Sequence, residues 1–211
     1  MSFVKDINGK FRIILASSSP RRKELLERVG IEFEVWPSEG EENPVSDTVP
    51  AIVTELSRSK ALDVAAQIKT YNENHKDLTT ATDILVIGAD TIVTKDGEVL
   101  GKPRDEDDAK RMLKLLSDET HSVYTGVTFV FMSSEGRTGE YSFYEETKVN
   151  FYPLDDDDID EYVATGDALD KAGSYGIQTA AAAFVRSVEG DFYNVVGLPI
   201  ARILQELKGL M

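Results

Sequence analysis

Ile84-Leu85-Val86-Ile87-Gly88-Ala89, closed by Asp90, is the stretch on which the fold turns. Six residues without a polar break are not the in–out alternation of a strand with one wet face. They predict a central strand covered on both sides. Residues 11–16 are apolar and β-branched and predict a second buried strand. Ser19-Pro20 then opens a helix, with Ser at the N-cap, Pro at the first helical position, Leu25, Leu26 and Val29 on one face and Gly30 as terminator. Residues 33–36 read as a short strand. Residues 48–69 read as a helix with Val49, Ile52, Val53 and Leu56 as its stripe, and the polar residues 70–83 as a surface loop. Residues 91–94 and 98–100 flank Asp96-Gly97, the strongest short hairpin signal. Helices follow at 105–116, 156–165 and 198–208, and strands at 127–132 and 146–151. The acidic run Asp155-Asp156-Asp157-Asp158 suits the positive end of the helix it opens. This alternation predicts an α/β fold, a mixed and mostly buried sheet flanked by helices. With no internal repeat and no long linker, residues 1–211 read as a single domain.

Composition narrows the function. Among 211 residues, 23 Lys and Arg stand against 38 Asp and Glu, a net charge of −15, with an isoelectric point near 4.5. Nucleic-acid surfaces are basic, so none is expected here. No run approaches the ~18 apolar residues of a membrane span, and the polar N-terminus lacks the apolar core of a signal peptide. There is no cysteine, which removes disulfides, thiol catalysis and zinc–thiolate sites. A cytoplasmic location is the expectation. A small anionic substrate remains open, provided local cations or a metal hold it.

Four features break the local pattern. In Leu15-Ala16-Ser17-Ser18-Ser19-Pro20-Arg21-Arg22-Lys23, three cations crowd a helix start whose dipole already carries positive charge. Orphan N–H groups, Ser hydroxyls and two Arg forks there converge where a phosphate could sit, unless the basic residues are merely solvated. Lys60 falls on the apolar stripe Ile52, Leu56, Lys60, Val64, where a lysine either snorkels outward or points into a cleft. Asp90 follows the central strand, the place where open α/β sheets meet their ligands, unless it is an Asx-type turn residue. Nearby, Gly101-Lys102-Pro103 puts a lysine at an extended turn. Finally, Asp170-Lys171-Ala172-Gly173-Ser174-Tyr175-Gly176-Ile177-Gln178 reads as a tight turn or as backbone held close to a ligand. Its Gln178 offers the donor and acceptor that an imide-bearing base requires. His75 in the polar loop and His121 before a strand make a histidine triad or zinc site an unsuitable reading. What remains is carboxylate chemistry with a hard divalent cation beside Arg and Lys, the combination of phosphoryl or nucleotidyl transfer.

Together these segments resemble the Maf family of nucleoside triphosphate pyrophosphatases, in order and spacing, from about Arg12 to Leu207. Thr91 after Asp90 and the Gly-Ile-Gln ending at Gln178 resemble its dTTP/UTP branch. Residues 143–149 and 190–197 further resemble the Maf domain of acetylserotonin methyltransferase-like proteins. The resemblance implies a Maf/inosine triphosphatase-like fold with a cleft between two lobes. It implies Asp90 as general base and metal ligand, Glu42 as a second carboxylate near the metal, and Mg²⁺ or Mn²⁺ as cofactor. Arg21, Arg22, Lys60 and Lys102 would hold the triphosphate with Ser19, while Thr91, Gln178 and Arg21 would tune base choice. Water would attack the α-phosphorus of dTTP, UTP or modified pyrimidine triphosphates, giving monophosphate and pyrophosphate. Family members are often homodimers. A nucleotide-binding regulator that does not hydrolyse, linked to cell division, and a phosphatase releasing orthophosphate are the alternatives.

Overall fold

The computed structural model describes residues 2–40, 43–74 and 82–211. Seven helices and seven strands are traced among them. Helix α1 (Ser2–Lys10) runs straight into β1 (Phe11–Leu15). Then come α2 (Pro20–Arg28), β2 (Glu34–Val35), α3 (Val49–Asn74), β3 (Asp83–Lys95) and β4 (Glu98–Leu100). They are followed by α4 (Glu106–Leu116), β5 (Thr120–Met132), β6 (Thr138–Phe151) and α5 (Asp156–Ala164). After two 3₁₀ turns the chain ends with β7 (Val185–Glu189), α6 (Phe192–Val196) and α7 (Ile200–Leu210). No described helix is long and apolar enough to cross a membrane.

The strands join in the order β2-β1-β3-β5-β6-β7, with β4 pairing β3. The sheet is mixed, as expected. β1 lies parallel to both β2 and β3, registering Leu15 with Val35 and with Ile87, whereas β4 and β7 pair antiparallel with β3 and β6. The Asp96-Gly97 signal holds. Both residues have positive φ, 51° and 84°, as a type I′ turn requires, and Lys95 faces Glu98 across it.

Several boundaries differ from the sequence reading. The segments 84–89 and 91–94 are one strand of 13 residues, so Asp90 sits inside β3 rather than after it. Residues 70–74 continue α3 instead of opening a loop; residues 75–81, His75 among them, lie outside the described residues. His121 lies within β5. Helix α6 and strand β7 escaped the periodicity because each spans five residues, and α1 because it lacks an apolar stripe. Only Val4 and Ile7 of α1 are buried, too few to mark a stripe.

The chain divides into two compact units. The first comprises residues 1–90, 126–144 and 200–211, the second 91–125 and 145–199. In the first, Ile14, Ile84, Val86 and Val130 of the sheet, with Ala16 just past β1, meet Ala61, Val64, Ala65 and Ile68 of α3. Two glycines set the spacing of that contact. A Cβ on Gly88 would lie 2.3 Å from the Ser57 carbonyl oxygen, and one on Gly126 would lie 2.1 Å from that of Val53. Helix α3 therefore lies backbone-close to β3 and β5. In the second unit, α4 packs on α5, and Phe151, Tyr175, Tyr162, Phe184 and His121 form an aromatic cluster with ring centroids 4.9–6.2 Å apart.

Gly88→Ala must push α3 off the sheet and is expected to destabilise the protein by more than about 2 kcal/mol. Gly139→Ala, where a Cβ meets nothing within 4 Å, should shift stability by less than about 0.5 kcal/mol. Chemical denaturation of the two variants checks the contrast.

Candidate active site

The first unit brings Lys60 and Asp90 together. Gly88 and Asp90 alternate along one face of β3, the face on which α3 rests through Ser57 and Ala61. Lys60, beside Ala61, reaches Asp90 so that Nζ lies 2.5 Å from Oδ1. Asp90 is buried, with 8% of its surface exposed, and Lys60 is half-buried. The lysine on the apolar stripe is thus a partner for a buried carboxylate and does not snorkel outward. Although β3 continues, its parallel neighbour β1 stops. Ala16 N–H still donates to the Ile87 carbonyl at 2.9 Å, and then the chain turns away. Asp90 stands three residues, about 10 Å, past the carboxyl end of β1, on the side where such sheets meet ligands.

The serine loop after β1 occupies the same end. Ser17, not Ser19, organises it. Ser17 Oγ accepts from Ser19 N–H at 3.2 Å and from Arg22 Nη1 at 3.1 Å. Ser19 is the N-cap residue by position, but its side chain makes no capping hydrogen bond, which corrects the expected cap. Pro20 does occupy the first helical turn. Gly30 ends the helix as expected, with φ of 82° and its N–H on the Glu27 carbonyl, while Ile31 N–H reaches that of Leu26, a Schellman pair. Arg21 and Arg22 are half-buried at the start of α2.

The second unit carries Thr91, Lys102 and Gln178. Gly173 N–H donates to the Gly101 carbonyl at 3.1 Å, so the turn bearing Lys102 is tied to the loop ending at Gln178. Both side chains are exposed. Gly173 has φ of 67°, and a Cβ there would lie 2.9 Å from Val93 Cγ1, which explains the glycine. The loop stands on a network centred on Asp167, which the sequence did not reveal. Buried Lys171 donates to the Asp167 carbonyl at 2.6 Å, to Asp167 Oδ1 at 2.9 Å and to Asp170 Oδ1 at 2.6 Å. Tyr162 and Thr179 hydroxyls donate to Asp167 Oδ2 at 2.7 and 2.6 Å. These donors outweigh the desolvation that opposes them, and the Asp167 pKa lies below the usual carboxylate range. Burial raises the Tyr162 phenol, with Asp167 adding to the shift.

Tyr175 of the same loop shares a 2.8 Å hydrogen bond with His121 Nε2. Burial, with the nearby charge of Lys95, lowers the His121 pKa to about 4. No histidine-based triad involves it; its ring packs edge-on to Phe151 and Tyr175.

A divalent cation delivered with a triphosphate needs only one or two protein carboxylates, since phosphate oxygens and water complete its shell. Buried Asp90 suits that role. Among the described residues no group of three or more His, Cys, Asp or Glu is placed to hold a metal alone. Glu42, the second expected ligand, lies outside the described residues.

The family model for Maf-like proteins matches residues 12–210. The chain is 58% identical over 199 residues to a dTTP/UTP pyrophosphatase of Agathobacter rectalis, covering 94% of this chain and 97% of that one. It is 51% identical to a dTTP/UTP pyrophosphatase of Bacillus cytotoxicus, covering 93% and 94%. A HAM1 protein from Coxiella burnetii, 13% identical with a TM-score of 0.46 over 94% of this chain and 99% of that one, is a distant likeness.

The His121 pKa sets a stability window. Unfolded histidine binds its proton near pH 6.5 and the buried one only near 4, so protonation favours unfolding as pH falls. The contribution is full above 6.5 and lost on the way to 4, on the order of 3 kcal/mol. Relative to His121→Gln, the wild type should lose that much more stability between pH 6.5 and 4, as read from denaturant midpoints.

Proposed function

The chain belongs to the Maf family, and we propose that it hydrolyses nucleoside triphosphates, dTTP and UTP foremost, to the monophosphate and pyrophosphate. The names of its relatives support the reaction, and the buried Lys60–Asp90 pair beyond the end of β1 is the observation that carries it. Residues 1–211 then act as one functional domain, and the charge of −15 accords with a small anionic substrate held by local cations, without nucleic acid as a partner. We place the enzyme in the cytoplasm and leave a homodimer as the expected assembly.

In this reading Asp90 is the general base. Its carboxylate takes a proton from water as the oxygen attacks the α-phosphorus, and pyrophosphate leaves with the bridging oxygen. Lys60 orients that carboxylate before substrate arrives and turns one of its protons to phosphate oxygen afterwards. Arg21 and Arg22 supply planar forks for phosphate oxygens, with Ser17 holding Arg22 in place and Ser19 offering its hydroxyl. Lys102 adds a further cation. Thr91 and Gln178 read the base. Bound at Asp90, with Glu42 as second carboxylate, Mg²⁺ or Mn²⁺ supplies charge neutralisation and a more acidic water. Positioning and electrostatics dominate such reactions.

Asp90→Asn is close to isosteric and should lower pyrophosphate release from dTTP and UTP by at least about 10³-fold, with folding retained in circular dichroism. Turnover unchanged in that variant would refute the base assignment. Orthophosphate as first product would point to a phosphatase, and saturable binding without any release to a regulator.

A further inference from the structure

Residues 176–179 make a β-turn. Thr179 N–H donates to the Gly176 carbonyl at 3.0 Å, and Ile177 and Gln178 are the two central residues. Neither has a positive φ, so the backbone makes no demand for glutamine at 178. Ile177 is buried and Gln178 is exposed. The turn sinks one central side chain and raises the other.

Both ends of this turn lead to one carboxylate oxygen. At its start, Gly176 N–H donates to Tyr162 Oη at 3.3 Å, and Tyr162 Oη donates to Asp167 Oδ2 at 2.7 Å. At its end, Thr179 Oγ1 donates to the same Oδ2 at 2.6 Å. The Thr179 hydroxyl also lies 2.8 Å from the Gly176 carbonyl oxygen. Of these two acceptors for its single proton, the charged one is the stronger. Thr179 stands at the N-cap of the 3₁₀ turn Ala180–Phe184 yet caps nothing there; its hydroxyl is turned to Asp167 instead. Asp167 can anchor the turn because it is itself held. Its N–H donates to Thr165 Oγ1 at 3.2 Å, and Thr165 Oγ1 donates to the Tyr162 carbonyl at 2.7 Å, which ties it to the end of α5. Lys171 Nζ donates to its backbone carbonyl and to Oδ1. Two hydroxyls and an ammonium thus require acceptors at both oxygens, which a carboxylate supplies and a neutral amide does not.

We infer that Asp167 is a positioning residue: by tying both ends of the 176–179 turn to α5, it holds Gln178 ready for the nucleobase. The inference rests on the reading of Gln178 as a base-contacting residue proposed above. A glutamine on a loose turn would have to give up backbone and rotamer freedom when the base arrives, at a cost to affinity. The clamp removes the backbone part of that cost beforehand.

The test is kcat/KM for UTP, from pyrophosphate release, in a double-mutant cycle of Asp167→Asn with Gln178→Ala. Gln178→Ala should lower it about tenfold. Asp167→Asn turns one acceptor into a donor and should lower it at least about fivefold, chiefly through KM. Added to Gln178→Ala, the same change should alter kcat/KM by less than about twofold, because the side chain through which it acts is gone. Should Asp167→Asn fail to fold, Thr179→Val removes a single donor at a half-buried position and is read in the same cycle, with Thr179→Ser restoring the rate. A merely structural role would cost as much without Gln178 as with it. Equal losses in the two backgrounds, or no loss from either change, overturn the inference alone. Gln178→Ala without effect overturns the base-contact reading, and the inference with it. No pyrophosphate from any nucleotide in the wild type overturns the proposed function itself.

Discussion

Helix α3 can touch β3 and β5 through bare backbone because both strands carry glycine where it crosses, and the first unit is arranged around that contact. The Ser57 and Val53 carbonyls occupy the space where side chains of Gly88 and Gly126 would stand. A helix held off by one methyl layer would carry Lys60 away from Asp90, and a carboxylate with 8% exposure would then lose its close countercharge. Breaking one half of a buried pair costs several kcal/mol, because the remaining charge has no water to turn to. Backbone spacing and electrostatics are therefore one constraint. The same helix also clips the chain before it: Asp63 accepts Ser38 Oγ and the N–H groups of Glu39 and Gly40, and Glu55 accepts those of Val45 and Ser46. One long helix thus fixes a carboxylate partner and the segments on either side of Glu41-Glu42.

The second unit uses polar networks where the first uses close packing. Asp167 collects Lys171, Tyr162 and Thr179, and Tyr162 Oη accepts Gly176 N–H at 3.3 Å. Gly176 is small because Lys171 passes beneath it: a Cβ there would lie 2.7 Å from Lys171 Cε. A buried lysine with three acceptors is a fully committed structural group and not a spare cation. The loop that ends at exposed Gln178 is consequently rigid at its root and open at its tip.

The elements that were legible in sequence are those with local signals. The unbroken run 84–89, the Asp96-Gly97 turn and the Ser-Pro helix start each declare themselves within a few residues, and all stand in the structure. Asp90 and Lys60 were visible as anomalies, one carboxylate in a buried strand and one lysine on an apolar stripe. Their pairing was not, because it spans 30 residues and depends on which strand the helix crosses. The partners that lie farther apart left no trace at all. His121 and Tyr175 are separated by 54 residues, Thr125 and Asn194 by 69, and each alone looks like ordinary strand or loop composition. Ser19 shows the opposite error. Its cap position is as the sequence suggests, but Ser17, two residues earlier, takes the N–H and the guanidinium instead.

The helix starts of this chain provide their own control for α2. Helices α4 and α5 open conventionally: Asp105 accepts from Asp108 N–H and Asp155 from Asp158 N–H, each cap followed by three acidic residues that match the helix dipole. Lys110 and Lys114 of α4 then pair with Asp160 and Asp156 of α5 at 2.7 Å. Helix α2 does the reverse on both counts. No side chain caps it from Ser19, no acidic residue stands in its first turn, and Arg21, Arg22 and Lys23 take that place. Each misplaced cation costs a few tenths of a kcal/mol, in a protein with acidic residues to spare. A negatively charged guest at this end would add attractions to the cations and to the helix dipole that offset those terms. The proposed triphosphate would find there the first N–H groups of α2 and two guanidinium groups, in the same unit that holds Asp90.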